Sequence, residues 1–160
     1  MDDIERCYAE GRTAIEIYAP ENRIKHKALN EIPELQKTKI AEHYLVTDKG
    51  KVVNWKSAKY LICDYQQGYQ TVCLATTTGK CKHFLVHRLV ALAFCPQSIE
   101  RSYVHHCNLI QDDNRAKNLL WVTTKEHSFL HKLYRSDRKE YWNMVYKIRN
   151  ENREAVKTNG

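Results

Sequence analysis

The chain contains no long apolar run. The longest, Leu89 to Cys95, falls far short of the ~20 residues that cross a bilayer, and Met1-Asp2-Asp3-Ile4-Glu5 has no basic start followed by an apolar stretch. Neither a membrane span nor export by a standard signal is expected, so the expected location is cytoplasmic. With three prolines and five glycines in 160 residues, there is no Pro-rich linker, low-complexity segment or internal repeat. None of the six cysteines (Cys7, Cys63, Cys73, Cys81, Cys95, Cys107) pairs at CxxC spacing, so scattered reduced thiols are expected rather than a disulfide framework. Cys73 and Cys81 leave a thiolate zinc site as a minor reading.

What remains is a basic chain of ordinary globular size. A domain near this length buries roughly 70% of the surface that its unfolded chain exposes, so neither metal nor disulfide is needed for folding alone. Lys and Arg number 26 against 19 Asp and Glu, a net charge of +7, which favours a polyanionic partner such as nucleic acid. The positive charge rises toward the C-terminus. Lys132, Arg135, Arg138, Lys139, Lys147, Arg149, Arg153 and Lys157 there outnumber Asp137, Glu140, Glu151 and Glu154.

The pattern of residues predicts an α+β fold. An incomplete helical pattern covers residues 4–18 and stops at Pro20. Tyr44–Thr47 and Lys51–Trp55 read as strands joined by Asp48-Lys49-Gly50, and Tyr60–Tyr65, Tyr69–Ala75 and Cys81–Val86 complete a small antiparallel sheet. His87–Phe94 changes to a helical period, with Leu89, Leu92 and Ala93 on one face, and ends before Pro96. Ser102–Cys107 and Leu119–Val122 read as two further strands separated by the polar loop Asn108 to Asn118. Thr123-Thr124-Lys125-Glu126 has the form of a capping box and predicts a helix start. Four segments follow from this: 1–40, helical or irregular; 41–97, a small β-module with its following helix; 98–134, a strand pair with a helix; and 135–160, a basic C-terminal helix or tail.

Four of the eight histidines fall between His105 and His131, as an adjacent pair on a strand and an i, i+4 pair on a helix. Neighbouring strand residues point to opposite faces, so His105 and His106 are expected to differ in role, one a ligand and the other a base. If the helix crosses the strand pair, His127 meets His105 around one divalent ion, with His131 as a third ligand. His87 is read as pinning its own helix, and His26, His43 and His83 have no constellation around them.

Val104-His105-His106, Asp113-Asn114-Arg115 and the run Asn118-Leu119-Leu120-Trp121-Val122-Thr123-Thr124-Lys125-Glu126-His127 together resemble the H-N-H endonuclease family, whose core is the ββα-metal finger. Val86-His87-Arg88-Leu89-Val90-Ala91-Leu92-Ala93-Phe94 is similar to the helix that precedes the finger in phage-type and homing members. Tyr44 to Gly50, continuing into Lys51-Val52, is similar to their small upstream β-module. The resemblance spans roughly residues 40–131. It implies a phosphodiester hydrolase, nicking or cutting double-stranded DNA, in which His106 is the general base, His105 and His127 hold one divalent ion, and Asn118 orients the site. A neutral imidazole with a pKa near 6.5 suits the base. Magnesium is the first expectation for the ion, and the additional histidine nitrogens also admit manganese, zinc or nickel. Arg88 and Arg115 are candidate phosphate clamps, and Arg135, Arg138 and Lys139 candidate backbone contacts, with Tyr134, Tyr141, Trp142 and Tyr146 interleaved among them. Asn108-Leu109-Ile110 stands where the family commonly has an Asp-Gly-Asn type turn. No membrane partner is implied, monomer and dimer both stay open, and a phage-infected or bacterial host cell is the setting that the resemblance implies. The alternative is a non-catalytic nucleic-acid-binding module in which His105, His127, His131 and Cys107 close a tetrahedral zinc site.

Overall fold

The computed structural model describes residues 24–159, so the helix expected over residues 4–18 lies outside the described residues. Two antiparallel sheets, rather than one, form the upstream module. The first pairs β1 (His26–Ala28), β2 (Tyr44–Thr47), β3 (Val52–Asn54) and β4 (Lys59–Tyr60) in sequence order. The second pairs β5 (Asp64–Gln66), β6 (Tyr69–Ala75) and β7 (Cys81–Leu85). The strand expected over Tyr60–Tyr65 is therefore split. Tyr60 pairs with Val53 in the first sheet and Asp64 with Thr71 in the second. Between them Leu61 and Cys63 pack on the core while Ile62 points outward. Apolar alternation reports which side chains face inward and carries no information about the partner strand.

The β2–β3 turn forms as its Gly requires. Gly50 takes a φ of 83°, a conformation costly for a residue with a Cβ, and its N–H donates to the Thr47 carbonyl. Helix α1 (Val86–Phe94) lays Val86, Leu89, Val90 and Ala91 on a core shared with Leu29, Ile32, Val46, Val52, Val72 and Leu74. The expected face shifts accordingly, since Leu92 and Ala93 lie at the edge of that core, only partly buried.

The C-terminal half comprises β8 (Tyr103–His106), β9 (Leu119–Val122), α2 (Thr124–Ser136) and α3 (Arg138–Thr158). The capping box at Thr123 and Glu126 is present and starts α2. All four β9 residues are buried because the strand lies between two cores. Leu119 and Trp121 enter the upstream core, where the Trp121 indole donates to the Ala91 carbonyl at 3.3 Å, while Leu120 and Val122 join Leu130, Tyr141, Val145 and Ile148. Fully burying side chains of this size contributes about 1.5–3 kcal/mol each, enough to fix α3 as part of the body. Arg101 adds a polar tie: its buried guanidinium meets Glu126 at 2.7 Å, Glu151 at 2.5 Å and Asn152 at 3.1 Å, joining the link before β8 to α2 and α3. Among the described residues no helix is long and apolar enough to cross a membrane.

Candidate active site

Strand alternation decides what each neighbouring histidine meets. Across the β8–β9 pair His105 stands opposite Leu120 and His106 opposite Leu119, and directly opposed residues share a face. His105 therefore looks toward α2 and α3 with Leu120 and Val122. His106 looks toward the upstream module with Leu119 and Trp121.

On the first face, α2 presents His127 and His131 one turn apart, with ring centroids 4.6 Å from each other and each 5.4 Å from the His105 ring. One nitrogen from each of the three lies within 4.8 Å of the other two. His105 is further held by Tyr141 of α3, whose hydroxyl lies 2.8 Å from Nε2 and donates its one proton to the Cys107 carbonyl at 2.5 Å. The hydroxyl therefore accepts from Nε2–H, which leaves Nδ1 of His105 with the lone pair. Burial pushes the Tyr141 phenol well above its ordinary range, so it keeps that proton. Burial, with His127 and His131 adding to it, lowers His105 to about 3, and burial with His131 lowers His127 too. Both are neutral, and able to act as ligands, at physiological pH.

On the second face His106 is held by a different set. Its Nε2 lies 2.9 Å from Oδ1 of the buried Asn114, and its ring packs against Tyr69 of β6 and His87 of α1, with centroids 6.0 and 5.2 Å away. Burial lowers its pKa, partly opposed by Asn114, Asp113 and Asp112. Because β8 ends at His106, both faces open on one cleft of about 220 Å³, lined by Tyr69, Val104, His105, His106, Leu109, Gln111, His127 and His131.

The loop between the strands is held by Asn118. Its Oδ1 accepts from the Asn108 backbone N–H at 3.0 Å, and its Nδ2 donates to Asn108 Oδ1 and to the Asp113 carbonyl, both at 2.9 Å. The amide that touches the His106 imidazole belongs instead to Asn114, four residues earlier. Leu109 adopts a φ of 59°, taking the left-handed position that a glycine would fill in an Asp-Gly-Asn type turn.

The other candidates are more dispersed. Arg88 donates to the Ser102 carbonyl at 3.0 Å and lies over the Trp121 ring; Arg115 forks onto Asp113 at 2.7 and 2.6 Å and holds that carboxyl at about 2. Arg138 stacks on Tyr134 and bonds its carbonyl. Arg135 lines a shallow depression beside His131 with Lys125 and Lys132, and Lys139 is exposed on α3. Tyr141 is fully buried, whereas Trp142 and Tyr146 remain exposed.

Three expectations are corrected. His87 is no isolated helix pin, since α1 brings it against His106, and its Nδ1 is buried with no hydrogen-bond partner. Cys107 does not join the three histidines, because its thiol turns into the second core and toward Arg149 Nη2 at 3.5 Å. Cys73 and Cys81 neighbour one another as exposed residues of β6 and β7, and no metal cluster among the described residues includes them. Asn114 stood in the motif with no role attached, and His87 in the helix signature with only a helix-pinning one. Tyr141, 36 residues from His105 in the chain, gave no local signal.

No family model matches the chain. Over 84 residues it is 42% identical to DNA endonuclease I-HmuI of Bacillus phage SP01, a stretch covering 52% of this chain and 48% of that protein. Over 88 residues it is 36% identical to an uncharacterized HNH endonuclease of Acanthamoeba polyphaga mimivirus, covering 54% of this chain and 22% of the relative. The chain thus spans about half the length, or less, of the curated relatives it matches. A solved structure described as DNA binding and cleavage by the HNH homing endonuclease I-HmuI superposes with a TM-score of 0.59 at 31% identity, covering 79% of this chain and 68% of that one. Sequence and shape agree on one assignment: the chain belongs to the HNH endonuclease family.

Proposed function

We propose that this chain is a metal-dependent endonuclease that hydrolyses phosphodiester bonds of double-stranded DNA. The observation that carries the reading is the single cleft lined both by three imidazoles able to share an ion and by a fourth imidazole held apart from them. The donor set fits a divalent cation. Three imidazole nitrogens leave coordination positions open, and they match zinc or nickel better than magnesium, which prefers oxygen ligands. His105, His127 and His131 would hold the ion, which when bound supplies Lewis-acid stabilisation to the scissile phosphate and the departing 3′ oxygen.

The protein's own residues do the rest. His106, neutral at physiological pH, takes the proton of the attacking water at Nδ1, the nitrogen that Asn114 leaves unpaired. Tyr141 keeps His105 turned with Nδ1 available as a donor atom. Asn118 holds the two ends of the loop together and so fixes where Asn114 stands. Lys125, Lys132 and Arg135 lie beside His131 and supply phosphate contacts for the approaching duplex, with Arg138 and Lys139 extending the basic surface along α3. The pairs that Arg88 and Arg115 make within the protein favour a structural part for both.

Incubation of the purified protein with supercoiled plasmid in magnesium, manganese, zinc or nickel, beside EDTA and His106→Ala, tests the reading. Nicked or linear product that requires both metal and His106 is expected. Intact plasmid in every metal, with zinc retained and a gel shift on DNA, would overturn it in favour of a binding module.

A further inference from the structure

Asn114 has two neighbours, and they come from different parts of the molecule. Its Oδ1 meets His106 Nε2 at 2.9 Å, and its Nδ2 donates to Oε1 of Gln70, on β6 of the upstream module, at 3.1 Å. Gln70 in turn directs its own Nε2 to the Tyr65 hydroxyl at 3.4 Å. Asn114 is buried at 3% exposure, and its backbone is pressed against the β2–β3 turn, where a Cβ on Gly50 would stand 2.8 Å from the Asn114 carbonyl carbon and oxygen. The Ala116 N–H is tied to the Asp48 carbonyl of the same turn at 2.8 Å. Asn114 is thus fixed in place and retains one freedom, a half-turn of its amide.

That half-turn has a chemical consequence. A neutral imidazole carries one N–H. An amide oxygen facing Nε2 requires the proton there and leaves the lone pair on Nδ1, whereas an NH₂ group facing Nε2 requires the reverse. A half-turn of Asn114 would also set its oxygen against the oxygen of Gln70, two acceptors in contact with no hydrogen between them. We propose that Gln70 is a positioning residue that sets the tautomer of His106 through Asn114, making the upstream module part of the hydrolytic machinery rather than only a neighbour of it. The catalytic meaning of this relay rests on the nuclease reading; the tautomer itself does not.

The test is a long-range proton–nitrogen correlation spectrum of the full chain with labelled histidine, without metal and at pH 8, in which His106 is assigned by its loss in His106→Ala. The wild-type protein is expected to show His106 protonated at Nε2. Gln70→Met, similar in size but with no acceptor, is expected to bring in the Nδ1–H form and to lower kcat at saturating DNA by about 10- to 100-fold. Asn114→Asp presents only acceptor oxygens, so combined with Gln70→Met it restores the Nε2–H form and returns kcat to that of Asn114→Asp alone. Gln70→Glu keeps the acceptor and should keep the tautomer, which preserves the test if the methionine variant does not fold. Nε2–H unchanged in Gln70→Met, or Nδ1–H in Gln70→Glu, would overturn the relay whatever the cleavage result. A tautomer that follows Gln70 in a protein that cuts no DNA would overturn the nuclease reading and leave the relay standing.

Discussion

His105 and His106 are neighbours on one short strand, yet the two are held by different halves of the molecule. His105 is fixed from the C-terminal side by the Tyr141 hydroxyl on α3 and shares its space with His127 and His131 on α2. His106 is fixed from the N-terminal side, where β6 and α1 supply the rings of Tyr69 and His87 and where Gln70 and the β2–β3 turn brace Asn114. In each case a hydrogen-bond partner behind Nε2 reserves Nδ1. What differs is the company: two other imidazoles around His105, and one amide, an aromatic ring, one buried imidazole and the nearby Asp112 and Asp113 around His106. Alternation along four strand residues thus gives identical side chains two environments, which under the proposed function would hold an ion at His105 and accept a proton at His106.

The largest effect comes from removing either histidine, and the two losses should not look alike. His105→Ala is expected to lose ion binding and cleavage together, with ion affinity falling by more than the about 10- to 100-fold that loss of an outer partner costs. In His106→Ala, cleavage falls by about 100- to 10,000-fold while ion affinity is nearly unchanged. Titration with zinc beside single-turnover cleavage separates them. Equal loss of ion binding in both variants would dissolve the distinction between the faces.

A pair of substitutions just outside the cleft lining sharpens the contrast. Tyr141→Phe leaves Nε2–H of the buried His105 without its acceptor, so ion affinity should drop by about 10-fold or more and stability by about 1–3 kcal/mol. Gly50→Ala drives a Cβ into the Asn114 backbone from a left-handed φ, so kcat should drop by about 10-fold with ion affinity kept. Calorimetric zinc binding and kcat measured on both variants give a crossed pattern if the halves act separately, and a shared pattern if they do not.

Much of this architecture was legible from residue order. The β2–β3 turn, the helix α1, the capping box of α2 and the separation of His105 from His106 follow from local rules, because turn glycines, caps and strand alternation depend on residues a few positions apart. The division into two sheets was not legible, since Leu61-Ile62-Cys63 alternates like a strand while merely crossing between them. Nor were Tyr141, Asn114 and His87 as partners of the histidines. Those contacts depend on how α3 and the upstream module dock on the finger, and docking leaves no periodic trace in the chain. Positive charge likewise indicated a class of partner without separating Arg115, paired with Asp113, from Arg135, which lines the depression next to His131.

The smallest expected effect is confined to acid. His87 faces His106 from α1 and Tyr69 from β6, with Arg88 next to it in the helix, and burial, reinforced by His106 and Arg88, lowers its pKa from 6.5 to about 4. Below pH 6.5 the unfolded chain takes up a proton at this position that the folded one refuses, so stability falls as the pH drops from 6.5 to about 4 and this group contributes no further change below that. His105 acts in the same direction but over a window reaching down to about 3. His87→Leu should therefore differ little from the wild-type protein at pH 8, lose stability less steeply between pH 6.5 and 4, and retain the decline between 4 and 3, to which His105 and the Asp113 carboxylate both contribute. Urea unfolding without metal at half-unit pH steps resolves the two windows. A variant whose stability falls as steeply as the wild type between pH 6.5 and 4 would mean that His87 is already charged, and that His106 is held by a cation rather than by neutral neighbours.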